Sequence, residues 1–485
     1  MMALHDLMHG IDVATPLPNL QVEGVSHDSR AIKPGYAFLA LPGMRVQGTQ
    51  FIPEAISRGA AAVIGPQIIA GDDHRAGEVP YIPVSDPAVA YSRMAANFYS
   101  HPSRHMTVVG ITGTNGKTTT AELLAAMLNA GGIPSATMGT LGARWNSTLE
   151  TTGYTTPDPG TLQRLLAEMR AQELRGVVLE VSSHALAQHR TDDVDINVAV
   201  FTNLTQDHLD YHGDMEHYSA AKQRLFQLLP HGGIAVINAD DPAGAAMAGS
   251  APGPVLTYGL GGDADLQVAD FGLSIDRTVA NLTFGDVSFS IESTLIGNYN
   301  LANILAATLA ALALKLPTEA IQSGIAQVEA VPGRLERIDS AASGTVMIDY
   351  AHTPDAYENV LGTLRRLLPE TTTLTVLFGC GGDRDRSKRG LMAATAEKYA
   401  DELIITSDNP RTESLARITS DIVSGLGGKQ HLVIEDRKEA LLAALGAMTP
   451  DTLLLILGKG REAYEDIGGE KVPHDDVAIV ENFEA

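Results

Sequence analysis

Short apolar runs rich in β-branched residues alternate with amphipathic stretches along most of the chain. The short runs predict buried strands, and apolar positions that recur about every three to four residues predict helices. Strands are predicted at residues 37–41, 60–64, 107–111, 176–180, 197–202, 233–238, 346–348, 373–378, 402–406 and 453–457. Helices are predicted at residues 51–58, 117–129 and 216–229, with further helical stretches between the later strands. Apolar strands that alternate with helices predict an α/β fold whose mainly parallel sheets are covered on both faces.

Two breaks in this pattern divide the chain. The polar, proline-containing segment His101-Pro102-Ser103 precedes a strongly apolar strand and is typical of a linker. The alternation of strands and helices starts again after Val331-Pro332-Gly333, and 485 residues are too many for one hydrophobic core. We therefore expect three α/β domains, at residues 1–101, 102–334 and 335–485. The last two are expected to be doubly wound, with ligands at the carboxyl ends of their strands.

The charge balance narrows the classes of partner. The chain has 34 basic and 58 acidic residues, whereas binding to nucleic acid or an anionic membrane normally requires a basic surface. No apolar run approaches the about 18 residues needed to span a bilayer, and the first residues lack the pattern of a signal peptide. The single cysteine, Cys380, excludes an internal disulfide. We expect a cytoplasmic protein that binds no nucleic acid and has no stable membrane anchor.

A glycine-rich loop lies between the predicted strand at 107–111 and the predicted helix at 117–129. It reads Gly-Ile-Thr-Gly-Thr-Asn-Gly-Lys-Thr-Thr from Gly110 to Thr119, with Ile111 where the common phosphate loop has its first glycine. Backbone N–H groups at such a loop bind phosphates, while a lysine neutralises charge and a threonine hydroxyl can reach Mg²⁺. The predicted nucleotide-binding residues here are Gly113, Thr114, Asn115, Gly116, Lys117, Thr118 and Thr119.

Two charged residues stand at positions where the pattern predicts burial. Glu180 ends an apolar strand, where a carboxylate is costly unless it is paired or bound to a metal. Lys222 shares one helical stripe with Tyr218, Leu225 and Leu229. Its amine either extends to water, or is desolvated with a lowered pKa and then reacts with CO₂. The sequence leaves both possibilities open.

Residues of both charge signs follow three predicted strands of the last region. They occupy the segments 381–386, 408–411 and 458–462. Because carboxyl ends of parallel strands share one edge of a sheet, these segments are expected to meet there. A zwitterionic amino acid needs such a mixture, with arginine for its carboxylate and an acidic side chain for its ammonium group. Charges on unrelated surface loops are the alternative interpretation.

The loop Thr-Gly-Thr-Asn-Gly-Lys-Thr-Thr, with Leu-Glu-Val-Ser-Ser-His at 179–184 and Asp-His-Leu-Asp at 207–210, resembles the Mur ligases and their folylpolyglutamate synthetase relatives. The resemblance implies a central P-loop-type ATPase domain that uses ATP and Mg²⁺. It also implies a CO₂-derived carbamate on Lys222. The implied catalytic residues are Lys117, Glu180, His208 and Lys222, and the implied metal ligands are Thr118, Glu180, His208 and carbamylated Lys222. On the residues alone, His208 could equally be a hydrogen-bonded core or surface histidine.

The resemblance extends to the other two substrates. It implies that the small N-terminal domain and part of the central domain bind UDP-N-acetylmuramoyl-L-alanyl-D-glutamate through His27, Ser29, Met44, Arg45, Val46, Thr155, Thr156, Ser182, Gln188 and Arg190. It implies further ATP contacts from Asn300, Asn303, Arg334, Asp349 and His352. Asparagines at such spacing are also common as helix caps.

The Rossmann-like C-terminal domain is expected to select the amino acid. The tetrad Asp-Asn-Pro-Arg at 408–411 is similar to the signature of Mur ligases that take meso-2,6-diaminopimelate, and lysine-adding members lack its arginine. A guanidinium can grip the distal carboxylate of diaminopimelate in a bidentate fork. The implied amino-acid-binding residues are Arg384, Asp408, Asn409, Pro410, Arg411, Gly458 and Glu462. Arg461 departs from the family pattern, in which a histidine is common at this position.

The implied activity is ATP-dependent peptide-bond formation through an acyl phosphate, in peptidoglycan precursor synthesis, by a monomer. A lysine-adding Mur ligase is disfavoured by Arg411, and a folylpolyglutamate synthetase by the UDP-binding N-terminal domain. The alternatives outside this class are a regulatory P-loop ATP-binding protein without ligase chemistry and an inactive scaffold paralogue. The first would lack an amino-acid pocket, and the second is disfavoured by the intact residues Lys117, Glu180, His208 and Lys222.

Overall fold

The computed structural model describes residues 1–13, 15–43, 46–67, 79–261 and 263–484. Its strands form a 4-stranded, an 11-stranded and a 6-stranded sheet, which follow one another along the chain, and two small 2-stranded sheets. The predicted α/β class is confirmed. In the described part of the chain, no helix has both the length and the apolar character needed to cross a membrane.

The first region contains a small four-stranded parallel sheet, an antiparallel pair formed by its first two strands, and helices beside them. Its strands are β1 (Met2–Ala3), β2 (Gln21–Val22), β3 (Gly24–Ser26), β4 (Tyr36–Leu39), β5 (Ala62–Pro66) and β6 (Tyr81–Val84), and its helices are α1 (Leu4–Leu7), α2 (Ile52–Ser57) and α3 (Pro87–Phe98). The sheet order β3-β4-β5-β6 follows the chain, and all three pairs are parallel. The apolar faces of α1 and α3 and one face of the sheet form a common core.

The middle region is built around the largest sheet. Its strands are β7 (Thr107–Thr112), β8 (Ser135–Gly139), β9 (Gly142–Trp145), β10 (Thr148–Glu150), β11 (Gly176–Glu180), β12 (Val198–Phe201), β13 (Ile234–Asn238), β14 (Val255–Tyr258), β15 (Leu266–Leu273), β16 (Thr278–Phe284) and β17 (Val287–Ser293). Its helices are α4 (Lys117–Ala130), α5 (Pro159–Ala171), α6 (Ser183–Ala187), α7 (Leu209–His212), α8 (Met215–Gln227), α9 (Gly244–Ser250), α10 (Asn298–Ala313) and α11 (Thr318–Gln327). The sheet order is β10-β9-β8-β11-β7-β12-β13-β14-β15-β16-β17, and the two core clusters lie on its opposite faces.

The antiparallel strands β15, β16 and β17 were not predicted, because they carry few continuous apolar runs. They extend the parallel sheet to its edge, where Asn281 donates to Asp270 at 2.8 Å and Ser290 donates to Asn281 at 2.6 Å. Helix α11 packs beside β17, and Gln322 of α11 donates to the backbone carbonyl of Ser290 at 2.7 Å. The exposed surface of this extension therefore carries hydrogen-bonded polar side chains, beside the exposed apolar residues Phe271, Val279 and Val287.

The last region is a second mainly parallel sheet. Its strands are β18 (Glu336–Ile338), β19 (Thr345–Asp349), β20 (Thr373–Phe378), β21 (Glu402–Ile405), β22 (His431–Val433), β23 (Thr452–Leu457), β24 (Tyr464–Ile467) and β25 (Glu470–Pro473), and its helices are α12 (Pro354–Leu367), α13 (Ser387–Tyr399), α14 (Leu415–Val423), α15 (Arg437–Ala447) and α16 (Asp476–Glu481). The order β18-β19-β23-β20-β21-β22 is parallel except at β18, and β24 and β25 form a separate hairpin. Core clusters cover both faces, as predicted for a doubly wound sheet.

The segment predicted as a linker at 101–103 is a packed connection. Residues Pro102–His105 form one turn of 3-10 helix in which Pro102 and Ser103 are buried. The Ser103 hydroxyl donates to Asp195 at 3.0 Å and accepts from the Asp195 N–H at 3.1 Å. This junction is therefore fixed against the middle region, although the domain bounds at 101 and 334 themselves stay a prediction.

Two helical glycines should respond in opposite directions to alanine. A Cβ at Gly324 in α11 would overlap the backbone of Met127 in α4, whereas nothing lies within 4 Å of a Cβ at Gly446 in α15. We expect Gly324→Ala to lower the free energy of unfolding by about 1–3 kcal/mol through overpacking. Gly446→Ala should raise it by about 0.4–1 kcal/mol, because alanine restricts the unfolded chain. Urea unfolding of both variants measures the contrast, and a stabilised Gly324→Ala protein would contradict the tight α4–α11 contact.

Candidate functional site

The predicted phosphate loop lies where three parallel strands of the middle sheet end. Strand β7 pairs with β11 and β12, so that Ile111 is opposite Glu180 and Thr112 is opposite Phe201. The segments that follow these strands leave the same edge of the sheet side by side. Such an edge is where open α/β sheets bind ligands.

Two glycines of this loop are required by what surrounds them. A Cβ at Gly113 would overlap the Thr202 hydroxyl, and one at Gly116, whose φ is +87°, would overlap the side-chain amide of Asn303. The chain then enters α4 directly, with Thr119 buried in its first turn. The loop backbone at these two glycines thus lies directly against the side chains of Thr202 and Asn303.

The loop is also fixed through its own side chains. The hydroxyl of Thr114 lies 3.1 Å from the Tyr218 hydroxyl and accepts from the backbone N–H of Thr205 at 3.0 Å. The amide of Asn115 donates to Asp355 of α12 at 2.9 Å. The predicted residues Thr114 and Asn115 therefore shape the loop and attach it to the last region.

Two lysines, the half-buried Lys117 and the buried Lys222, share one carbonyl oxygen of the loop. Lys117 donates to the carbonyls of Gly113 and Thr114, both at 2.9 Å, and Lys222 donates to the carbonyl of Gly113 at 2.8 Å. Burial lowers the pKa of Lys117, and burial followed by repulsion from Lys117 lowers the pKa of Lys222 well below its usual range. Lys222 is only 1% exposed, so the possibility that its amine extends to water is wrong. Both amines are placed to meet an anion.

Glu180 and Thr118 form an oxygen-rich group beside these lysines. The Thr118 hydroxyl donates to Glu180 at 3.0 Å, and the backbone N–H of Thr140 donates to the same carboxylate at 2.9 Å. Among the described residues, no group of three or more His, Cys, Asp and Glu side chains could hold a metal ion. A carboxylate and a hydroxyl nevertheless fit Mg²⁺, which keeps several waters and takes further oxygens from phosphates.

His208, the predicted histidine ligand, faces a second histidine. Its backbone has φ +53° at the start of α7, and its ring centre lies 4.8 Å from that of His184. Burial lowers the pKa of His208 to about 3 and that of His184 to about 4. Both imidazoles are therefore neutral at physiological pH, which is the form that binds metals.

Asp207 is a buried residue that joins the middle and last regions, and sequence reasoning did not identify it. Its carboxylate lies 3.3 Å from Lys388 of α13, 3.3 Å from His208 and 3.7 Å from His352. Although burial alone would raise it, these partners hold the pKa of Asp207 well below its usual range. Since Lys388 and the predicted residue His352 belong to the last region, Asp207 connects the two larger sheets. Its place beside His208 in the Asp-His-Leu-Asp segment was the available signal.

The residues predicted to contact ATP beyond the loop separate into two groups. Asn303 borders Gly116, and Arg334 donates to the Thr118 hydroxyl at 3.1 Å, so both lie at the phosphate loop. Asn300 donates to the Ile296 carbonyl at 3.0 Å within the start of its own helix. The phosphate end of the site thus includes one arginine from the junction between the two larger sheets.

Asp349 fixes the backbone at that junction. Its carboxylate accepts from the backbone N–H of Leu335 at 2.6 Å and from that of Ala351 at 2.7 Å. Burial raises the pKa of Asp349. By holding the residue after Arg334, Asp349 orients the arginine toward the loop.

A second positive site lies beside β11 and includes five predicted substrate residues. Arg190 donates to the Thr156 carbonyl at 2.7 Å and to the amide oxygen of Gln188 at 2.7 Å. The Thr156 hydroxyl in turn accepts from the backbone N–H of Ser182 at 3.0 Å, and Thr155 lies next to it. These partners of Arg190 are uncharged, which leaves its guanidinium charge available to an anionic ligand.

The remaining predicted contacts are in the first region. His27 lies 3.8 Å from Asp158 at the start of α5, which joins the first region to the middle one. The Ser29 hydroxyl donates to Glu54 at 2.7 Å, and Val46 is exposed. Two more predicted residues, Met44 and Arg45, lie outside the described residues.

The three segments predicted to bind an amino acid do meet at the edge of the last sheet. Asn409 donates to Glu462 at 2.7 Å, which brings the loop after β21 to the loop after β23. Lys459 is fully buried between them, 3.2 Å from Glu462 and 3.6 Å from Asp408. A Cβ at Gly458 would lie 2.9 Å from the Asp408 carboxylate, so glycine permits this approach. Sequence reasoning missed Lys459, since nothing in its loop predicts burial.

Two arginines converge on the same edge. Arg411 donates to the Gly382 carbonyl at 2.7 Å and lies 3.7 Å from Asp466, with Pro410 buried behind it. Burial, followed by repulsion from Arg411, lowers the pKa of Arg384. Two neighbouring guanidiniums that repel each other favour an anionic group between them. The mixture of charges predicted for this site is therefore present.

Arg461 occupies the position at which a histidine is common in the resembling family. It forms an ion pair with Glu336, including an Nε contact at 3.0 Å, and Glu336 also accepts from the Gly333 N–H at 2.7 Å. Arg461 thus attaches the amino-acid loop to the segment that carries Arg334.

Comparisons with known proteins agree with this arrangement of three regions. The profile of the Mur ligase family catalytic domain matches residues 21–99, that of the Mur ligase middle domain matches 111–311, and that of the Mur ligase glutamate ligase domain matches 333–460. The chain belongs to the Mur ligase family. As a Mur ligase it is an ATP-dependent enzyme that forms amide bonds, which confirms the predicted class of reaction.

Several relatives that match almost the whole chain have the same name. The UDP-N-acetylmuramoyl-L-alanyl-D-glutamate–2,6-diaminopimelate ligase of Thermosynechococcus vestitus is 44% identical, over 95% of this chain and 93% of the relative. The ligase of the same name from Syntrophomonas wolfei is 40% identical, over 94% of this chain and 93% of the relative. A solved structure of a ligase with this name is 34% identical, with a TM-score of 0.67 over 99% of this chain and 98% of that chain.

A folylpolyglutamate synthase of Mycobacterium tuberculosis, solved with ADP and AMPPCP, shares the fold at 21% identity. Its TM-score is 0.65, over 76% of this Mur ligase and 92% of that chain.

The glycine at position 116 gives a test of the loop geometry. We expect Gly116→Ala to reduce ATP-dependent turnover by about a hundredfold, because its Cβ overlaps Asn303 and displaces groups that must be positioned closely. Gly132→Ala is the matched control, since Gly132 also has a positive φ of +74° but nothing lies within 4 Å of its Cβ.

Nucleotide affinity measured by calorimetry should follow the order wild type, Gly132→Ala, then Gly116→Ala. Equal affinities in the two single variants would contradict the close approach of Asn303.

Proposed function

We propose that this Mur ligase joins meso-2,6-diaminopimelate to UDP-N-acetylmuramoyl-L-alanyl-D-glutamate in peptidoglycan precursor synthesis. The observation that carries the proposal is that Arg411, Arg384 and Glu462 all lie on loops that leave one edge of the last sheet and contact one another through Asn409 and Gly382. That edge offers cationic groups for carboxylates and an anionic group for an ammonium. The relatives that match nearly the whole chain bear the same activity in their names.

The acceptor substrate is held between the first and middle regions. Arg190, whose named partners are neutral, binds an anionic group of the peptide, and Thr156 and Ser182 line the adjoining backbone. His27 at the junction with α5 lies toward the UDP end. The peptide carboxylate is thereby directed to the strand ends that carry the phosphate loop.

Activation takes place at that loop. The acceptor carboxylate attacks the γ-phosphorus of ATP, ADP leaves, and an acyl phosphate remains. Lys117 and Arg334 spread the charge of the transferring phosphoryl group, since both are directed to the loop. Mg²⁺ held by Thr118, Glu180 and His208 would neutralise phosphate charge when it is bound.

Lys222 becomes an anion in this proposal. Burial, followed by repulsion from Lys117, lowers the pKa of its amine, and the neutral form of the amine can attack CO₂ to give a carbamate with release of a proton. A carbamate would turn a cation that repels Lys117 into an anion that attracts it. This exchange supports Lys222 as a further ligand for the metal.

The amino acid completes the reaction from the edge of the last sheet. Its amine attacks the acyl carbon, phosphate leaves, and the amine loses a proton. Arg411, supported by the Gly382 carbonyl, binds the distal carboxylate that distinguishes diaminopimelate from lysine. Glu462 and Asp408 bind the distal ammonium, and Asn409 holds Glu462 in place.

We further propose that the enzyme acts in the cytoplasm as a monomer of three domains, bounded at residues 101 and 334. The three regions together contain sites for an acceptor, a nucleotide and an amino acid. A regulatory P-loop protein would need no amino-acid site. The reaction as proposed requires no second copy of the chain.

The selectivity for diaminopimelate should depend on Arg411. We expect Arg411→Ala to reduce kcat/KM for meso-diaminopimelate by about ten- to a hundredfold, the value of a charge-assisted bidentate contact. Phosphate release is measured with ATP, Mg²⁺ and the UDP-linked dipeptide, with diaminopimelate or L-lysine as the second substrate.

Arg386→Ala is the control for this experiment, because Arg386 is on the same loop as Arg384 but pairs with Asp421 at 2.9 Å. It should retain nearly full activity. Release that depends on lysine in the wild type would keep the ligase and remove the assignment to diaminopimelate. No release with either amino acid would favour the regulatory alternative.

The carbamate on Lys222 can be observed directly. Wild-type protein equilibrated with ¹³CO₂ should give a carbamate signal in ¹³C spectra, and Lys222→Met should lose both the signal and activity. Lys398→Met is the control, since Lys398 is an exposed lysine paired with Glu358 at 2.7 Å. An active wild type whose carbamate signal survives in Lys222→Met would exclude this lysine as the modified residue.

A further inference from the structure

A buried arginine lies directly behind the amino-acid site. Arg437 begins helix α15, and its side chain is fully buried together with that of Asp476 at the start of α16. It does not belong to any of the three segments that line the site. A buried charge of this kind requires partners that satisfy most of its donors.

The donors of Arg437 are directed to the bases of two site loops. Its Nη1 donates to the Ser407 carbonyl at 3.0 Å, and its Nη2 donates to the Leu457 carbonyl at 3.1 Å. Ser407 immediately precedes Asp408, and Leu457 immediately precedes Gly458. One rigid guanidinium therefore spans the ends of β21 and β23, from which the Asp-Asn-Pro-Arg loop and the Lys459–Glu462 loop leave the sheet.

Asp476 fixes the guanidinium from the other side. Its carboxylate accepts from Nε of Arg437 at 3.0 Å and from Nη2 at 2.7 Å, and His474 contacts the same carboxylate at 2.8 Å. Arg437 and His474 hold the pKa of Asp476 far below its usual range, although burial alone would raise it. The arginine is thus clamped between the C-terminal helix and the two loops.

β21 and β23 are not neighbours in the sheet, because β20 lies between them and pairs with both. The two loops that follow them contact each other through Asn409, Glu462 and Lys459. A further connection, at the bases of both loops, must come from a side chain that reaches both. Arginine can do so because its N–H groups form a fixed planar fork, whereas lysine offers one compact charge.

We propose that Arg437, anchored by Asp476, is a positioning residue that sets the distance between the Asp408–Arg411 loop and the Gly458–Glu462 loop, and thereby the affinity for the amino-acid substrate. This inference rests on the proposed function for the nature of that substrate. Arg437 touches neither reactant nor nucleotide in this assignment. Its effect should therefore appear in the KM of one substrate out of three.

The main variant is Arg437→Lys. It keeps the positive charge beside Asp476 but removes the planar guanidinium that bonds both loop carbonyls. We expect the KM for diaminopimelate to rise about tenfold or more, since the two loops no longer offer their charged groups at the right separation. The KM values for ATP and for the UDP-linked dipeptide should stay within about twofold of wild type. If this variant does not fold, Asp476→Asn, which keeps the whole guanidinium, is judged by the same criterion.

Arg365 provides a matched control in the same sheet. It donates to Asp401 at 2.8 Å and to the Thr372 carbonyl at 3.3 Å, at the opposite end of β20 and β21 from the site. Arg365→Lys removes a similar fork from a similar partner. It should lower the thermal midpoint while all three KM values stay unchanged.

An unchanged KM for diaminopimelate in a folded Arg437→Lys protein would overturn the proposal. Equal changes in all three KM values would also overturn it, because they indicate general destabilisation. The proposed function is tested separately on the wild type. If the wild type uses lysine, diaminopimelate selectivity fails, but the comparison proceeds with the accepted amino acid. If it uses neither, the affinity for diaminopimelate is measured by calorimetry with an ATP analogue present. An affinity that is equal in the wild type and in Arg437→Lys would then overturn the proposal.

Discussion

The carbonyl oxygen of Gly113 is the point on which the catalytic region depends. It accepts hydrogen bonds from Lys117 and Lys222 at once, and burial lowers the pKa of both amines. Amines that donate to neutral carbonyls retain a strong demand for negative charge in a low-dielectric setting. Glycine at 113 makes the arrangement possible, since a side chain there would meet Thr202. The loop is therefore organised around charge that a ligand or a modification must supply.

In the last region, by contrast, the buried cations are paired with carboxylates. Lys459 is balanced by Glu462 and Asp408, and Arg437 by Asp476. These pairs leave little net charge and instead give the loops a fixed geometry. The nucleotide site is thus prepared for a highly charged ligand, while the amino-acid site is prepared for a zwitterion, whose recognition depends on the separation of charges.

Local sequence was sufficient for the most apolar parallel strands and for the loop after β7, because continuous apolar runs and glycine positions carry that information. It did not predict the parallel strands β3, β6, β8, β14 and β22. It was insufficient for β15 to β17, whose polar faces resemble surface loops, and for the packed turn at Pro102. The same division applies to the site. Residues in compact motifs such as Lys117 and Glu180 could be named, whereas the burial of Lys459 depends on contacts between strands far apart in the chain.

The polar extension at the edge of the middle sheet has a consequence for behaviour in concentrated solution. A long sheet that ended on an apolar parallel strand would offer unpaired backbone groups to another chain. Here Ser290 of the final strand β17 donates to Asn281 of its neighbour β16, and Gln322 of α11 donates to the backbone carbonyl of Ser290. A backbone group of the edge strand that is already bonded to a side chain of the same chain is not available to a second copy, and this opposes edge-to-edge association.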